Sequence, residues 1–242
     1  MNDIYKAQCT LLLRILPIIN RIDSFALKGG TALNFFVRNL PRLSVDIDLV
    51  YTKINERMES LQEISLELQK VKMYILQILP NANIIEKKVE GFAISLIINE
   101  GNATVKIEVN HVIRGTVFPV TEYFLCEKAR SIFNLSFKNK ILQKEELYAG
   151  KICAALDRQH PRDIFDIKLF FENEEFNLDL KRAFIIYLIS HPRPISELLQ
   201  PNLLDFSAQY HKEFLGMTNE VVELSTLQET RKKLIQTIND SL

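Results

Sequence analysis

Two glycines and a threonine, Gly29-Gly30-Thr31, follow the short apolar run Phe25-Ala26-Leu27 and precede, by one helix length, the acidic pair of Asp46-Ile47-Asp48. This order leaves few folds open. The apolar run reads as a buried strand that turns at the glycines. Thr31 to about Arg38, with Leu33, Phe36 and Val37, reads as a helix stopped by Pro41. Asp46 to Tyr51 is then a second strand, and side chains alternate along a strand, so Asp46 and Asp48 share one face. A strand–turn–helix offers unpaired N–H groups at the helix start, where the macrodipole also favours anions. An ordinary tight turn with Thr31 as N-cap is the other reading of the same residues. The turn is no Walker loop, because GxxxxGK[ST] is absent. Two adjacent carboxylates repel unless a cation lies between them. Mg²⁺ suits that position, since one or two carboxylates plus substrate phosphates usually hold it. A solvent-facing Asp-x-Asp is the alternative, weakened by the apolar Ile47, Leu49 and Val50 around the pair.

Residues 3–20 read as an amphipathic helix, and 55–79 as a long one in which Leu61, Ile64, Leu68, Val71, Ile75 and Ile78 step by three or four. Strands over 84–89, 92–98 and 104–109 are divided by Gly91 and by Glu100-Gly101-Asn102, which predicts an antiparallel meander. In the last of them Lys106, Glu108 and Asn110 share a face, so Glu108 is either a third carboxylate or part of a solvent-facing row. From Lys144 onward the pattern is helical, over 144–158, 162–172, 178–190, 203–215 and 218–240. The chain therefore reads as an α+β half, residues 1–130, followed by a helical half, residues 131–242, that completes the active-site cleft.

In the first of these later helices Leu147, Lys151, Ala155 and Arg158 form one stripe. A lysine among apolar neighbours must reach a partner or water. A triphosphate, an aspartate and the solvent are the open choices. Arg162, Asp163 and Asp166 open the next helix, where acidic residues suit the positive end of the dipole. Asp163 is placed to pair with Arg158 or Lys151 and so to dock the helical half to the catalytic one, a structural role.

Lysine plus arginine equals aspartate plus glutamate at 30 each, so nucleic-acid binding would need a local basic patch. Cys9, Cys126 and Cys153 have no CxxC spacing, and the four histidines have no metal-ligand spacing. Met1 to Lys6 lacks a basic leader, and no apolar run approaches the roughly 20 residues that span a bilayer. A soluble cytoplasmic protein is the expectation.

In order along residues 25–170 stand Gly-Gly-Thr, Arg42-x-Ser44-x-Asp46-x-Asp48, Lys106-Ile107-Glu108-Val109 and Lys151…Arg158…Arg162-Asp163-Ile164-Phe165-Asp166. Together they resemble the nucleotidyltransferase AbiEii/AbiGii toxin family, the toxin side of abortive-infection toxin–antitoxin pairs. The resemblance implies a polymerase β-like fold: a mixed sheet flanked by helices, then a helical bundle. It implies transfer of a nucleoside monophosphate from an NTP, with tRNA 3′ ends among the acceptors of relatives, and a cognate antitoxin as partner. Carried over by position, Lys28, Gly29, Gly30, Thr31, Arg42, Ser44, Lys151, Arg162 and Asp163 would hold the nucleotide. Asp46, Asp48 and Glu108 would hold Mg²⁺ (or Mn²⁺), and these three with Lys151 would be catalytic. Glu108 stands where general nucleotidyltransferases usually carry an aspartate. Two rival readings are transfer to a protein hydroxyl and a catalytically silent nucleotide- or partner-binding module.

Overall fold

Polar and apolar residues alternate along the strands of the first half, and a single sheet sorts them onto two faces. The computed structural model describes residues 3–242; Met1 and Asn2, the start of the segment read as lacking a leader, lie outside the described residues. The chain divides into two units, Met1–Gln143 and Lys144–Leu242.

In the first unit α1 (Asp3–Ile19) leads to β1 (Phe25–Lys28), which runs directly into α2 (Gly29–Ala32). The helix continues through Leu33–Val37 with π geometry, closed by a bond from the Arg38 N–H to the Leu33 carbonyl at 2.8 Å. Then come β2 (Asp46–Tyr51), α3 (Arg57–Ile78), β3 (Asn83–Val89), β4 (Phe92–Glu100), β5 (Ala103–Arg114), β6 (Thr121–Phe124), α4 (Glu127–Phe133) and β7 (Lys138–Ile141). The seven strands lie in the order β3-β4-β5-β2-β1-β7-β6. The meander β3–β4–β5 is antiparallel as predicted; β2 joins β5 in parallel and β1 joins β2 antiparallel, so the sheet is mixed.

One face of the sheet is apolar: Ile94, Leu96 and Ile98 of β4, Val105, Ile107 and Val109 of β5, and Ile47, Leu49 and Tyr51 of β2 are buried. α1 packs on β5 and α3 on β4, and α3 contributes Leu61, Ile64, Leu68, Val71 and Ile75 to the interior. The Tyr51 hydroxyl donates to Glu63 of α3 at 2.5 Å, which marks this face as the helix-covered one. The carboxylates of Asp46 and Asp48 belong to the other face. β6 and β7 lie outside the predicted strands. β7 adds to the edge at β1 through Leu27↔Ile141 and carries the first unit past residue 130.

The second unit holds α5 (Lys144–Arg158), α6 (Pro161–Asn173), α7 (Leu178–Ile189), α8 (Ile195–Leu199), α9 (Ser207–Gln209) and α10 (Leu224–Ser241). α5 packs on α6 and α7, and α10 packs on α6 and α5. Gly150 allows the close approach of α7: a Cβ there would stand 3.1 Å from the Tyr187 ring. Ile164, Phe165, Phe206, Tyr210, Phe214, Val222 and Leu227 form a core cluster. The predicted helix over 203–215 is replaced by a stretch without regular secondary structure, then α9 and a π-helical turn, Tyr210–Phe214. Pro194 and Pro201 bracket α8 instead. The last helix starts at Leu224 and not at 218.

Candidate functional site

β1 ends at Lys28, which stands directly opposite Asp48 in the antiparallel register. The next residue, Gly29, has φ +70°, a conformation that side chains rarely adopt. Space is as restrictive as torsion there: a Cβ on Gly29 would collide with the Asp48 carboxylate. The turn is glycine because the carboxylate lies against its backbone.

The helix begins at Gly29 itself, with Lys28 as its flanking residue and no side-chain cap. Thr31 is not the N-cap. It is fully buried; its hydroxyl donates to the Asp46 carbonyl at 2.5 Å and pairs with the Ser44 hydroxyl at 2.9 Å. Thr31 and Ser44 thus clamp the start of α2 to the start of β2, which fixes Asp46 relative to the Gly-Gly turn. Asn34 donates to the Gly30 carbonyl at 2.8 Å, and buried Arg42 donates to the Leu43 carbonyl at 2.8 Å. Gly30 is buried, whereas Lys28, Gly29, Asp46 and Asp48 are half-buried and reach the surface.

The parallel pairing of β2 with β5 sets Asp48 opposite Glu108, and Asp46 opposite Lys106. Residues directly opposite in a sheet share a face. A polar row therefore crosses five strands: Lys87, Ser95, Glu108, Asp48 and Lys28. Glu108 forms an ion pair with Lys106, its neighbour two residues back on the same strand. Among the described residues no three of His, Cys, Asp and Glu are grouped as a metal site. The two aspartates alone still meet the usual requirement of Mg²⁺, hard oxygen donors with the remaining positions left to phosphate and water. Ser95 belongs to no motif, and Lys106 stands in the Lys106-Ile107-Glu108-Val109 motif without an assigned role. The alternation of β5 puts Lys106 beside Glu108, but only the sheet register reveals Ser95.

The other predicted residues lie in the second unit. Lys151 of α5 is buried, and its ammonium contacts Asp163 at 2.8 Å and Asp166 at 2.9 Å, both on α6. Arg158 adds bonds to Asp163 at 2.5 and 3.1 Å. Burial pushes the Asp163 carboxyl up, but Lys151 and Arg158 outweigh it and hold the group well below the usual carboxylate range. Buried Lys151 lies between two buried carboxylates, and the exposed Arg158 supplies the second positive charge from the surface, which is how such charges tolerate an interior. These pairs bind α5 to α6 inside one unit. His160 caps α6 by accepting from the Arg162 N–H at 3.2 Å, and the Arg162 guanidinium lies 3.7 Å from Glu213.

A family model described as the nucleotidyl transferase AbiEii toxin of type IV toxin–antitoxin systems matches residues 10–234. The chain belongs to the AbiEii nucleotidyltransferase toxin family. This AbiEii-family chain is accordingly a nucleotidyltransferase, with an NTP as substrate and an antitoxin as partner of its class. Its fold is similar to that of MenT4, a nucleotidyltransferase toxin from Mycobacterium tuberculosis H37Rv, with a TM-score of 0.69 at 14% identity, over 99% of this chain and 86% of that one. No curated protein matches the sequence. No helix among the described residues is long and apolar enough to cross a membrane.

Proposed function

We propose that this AbiEii-family enzyme carries out Mg²⁺-dependent transfer of a nucleoside monophosphate to the 3′ end of a tRNA. One observation carries the reading: Asp46 and Asp48 project together from the polar sheet face, with Asp48 lying against the Gly29 backbone. A bound Mg²⁺ would supply charge neutralisation for the triphosphate. Asp46 and Asp48 are its holders in this proposal. Glu108, in the same row, orients the acceptor hydroxyl. That hydroxyl gives its proton to the Glu108 carboxylate as it attacks the α-phosphorus, a new P–O bond forms, and pyrophosphate leaves with the electron pair of the broken P–O bond. Because both carboxylates sit on a rigid strand, the work of the protein is positioning and charge stabilisation. The tRNA acceptor rests on the resemblance to tRNA-modifying relatives.

The test incubates the purified chain with each of four α-labelled NTPs, total RNA and total cell protein, beside Asp46→Ala. Label in small RNA, lost with Asp46→Ala and with EDTA and restored by Mg²⁺ or Mn²⁺, is the expected result. Label confined to protein would overturn the acceptor assignment, and undiminished label with Asp46→Ala would overturn the site.

A further inference from the structure

Ser95 stands directly opposite Glu108 across β4 and β5, on the same face. It is 1% exposed, and its hydroxyl has no hydrogen-bond partner. A buried hydroxyl left unpaired destabilises the fold, whereas alanine in its place would carry no such penalty. In the resting arrangement the one carboxylate across the strand from it, Glu108, is turned to Lys106. On its other side Glu108 faces Asp48, a like charge that offers no bond. Lys106 in turn is directly opposite Asp46. A triphosphate arriving at Asp46 and Asp48 brings phosphate oxygens that compete with Glu108 for the Lys106 ammonium.

From this arrangement we propose that Ser95 is a positioning residue for Glu108: when Lys106 turns to the triphosphate, the Ser95 hydroxyl donates to the released carboxylate and holds it towards the acceptor. The proposal rests on the transferase reading above and names a part of that site which no motif assigns. Ser95 touches neither nucleotide nor acceptor; it acts through Glu108. The unpaired hydroxyl of the resting state is the donor that the working state uses.

Two measurements on the full chain test it. In the transfer assay Ser95→Ala lowers kcat about tenfold, the scale of one hydrogen bond to a charged group, with KM for NTP unchanged, and Ser95→Thr restores most of it. Thermal unfolding supplies a readout free of activity. In the native background Ser95→Ala leaves the melting temperature unchanged or raises it, because no bond is lost. In a Lys106→Met background Glu108 is already released, so Ser95→Ala lowers the melting temperature there. A full kcat in Ser95→Ala would overturn the proposal, as would an equal thermal effect in both backgrounds. Absence of transfer by the native chain would sink the transferase reading instead, while the thermal cycle would still decide whether Ser95 couples to Glu108.

Discussion

Gly29→Ala probes the tightest point of the site. The substitution meets two separate penalties. The backbone at φ +70° is left-handed, which is unfavourable to a residue with a Cβ by about 1–2 kcal/mol. Alanine also restricts the unfolded chain, which returns about 0.4–1 kcal/mol. The second penalty is steric. The new methyl would overlap the Asp48 carboxylate and stand 3.1 Å from its Cβ and Cγ, so strand or carboxylate must move. Overpacking of this kind adds about 1–3 kcal/mol. Gly91 is the internal control: its φ is +85° and nothing lies within 4 Å of its added Cβ, so Gly91→Ala reports backbone strain alone. With about 2–4 °C per kcal/mol for a chain of this size, Gly29→Ala should lower the melting temperature by roughly 5–15 °C and Gly91→Ala by only about 2–4 °C. In an Asp48→Ala background the oxygen and Cγ are gone, and the excess cost of Gly29→Ala should mostly vanish. Transfer by Gly29→Ala should fall about a hundredfold, because Asp48 is displaced by a fraction of a bond length or more. Differential scanning calorimetry of the four variants decides the matter. If Gly29→Ala melts with Gly91→Ala, or if removing Asp48 gives no relief, the close packing of turn and carboxylate is not what makes residue 29 a glycine.

Asp163→Asn leaves buried Lys151 with Asp166 as its carboxylate and removes the bonds of exposed Arg158, and it should cost about 3 kcal/mol in urea unfolding. The same carboxyl sets an acid limit. Its folded pKa is depressed below the unfolded value of about 3.9, so its contribution is complete above about pH 5 and is lost as pH falls below about 4. Urea midpoints at pH 6 and pH 3 should therefore converge more closely for Asp163→Asn than for the native chain. Thr31→Val keeps the shape of the α2–β2 clamp but removes its hydroxyl. It should cost about 1–2 kcal/mol and loosen Asp46, which appears as a loss in kcat larger than the loss in stability explains.

Local chemistry was enough to predict much of this fold. The three-and-four spacing from Leu61 to Ile75 gives α3 its buried stripe, and the turns at Gly91 and Gly101 give the antiparallel meander. The alternation that puts Asp46 and Asp48 on one face follows from strand geometry alone. Elements whose signal is weak went unread. β7 is four residues, Lys138-Asn139-Lys140-Ile141, and is a strand because β6 on one side and the edge of β1 on the other offer it partners. The stretch over 203–206 has helix-forming residues but is not helical, because the Leu204 N–H and carbonyl bond to Gln159 and Arg231. Contacts across long separations belong to the tertiary structure alone. Thr31, readable as a cap or a phosphate ligand, is committed to Ser44 and Asp46 because β2 lies beside α2. The three partners open to Lys151 were narrowed to Asp163 and Asp166 by the packing of α6 on α5. The row from Lys87 to Lys28 exists only because a parallel pairing joins residues 48 and 108. Period and propensity act over a few neighbours and can be read from the order of residues. Register between distant strands is set by which apolar faces can be buried together, and that is decided only when the sheet closes on its helices.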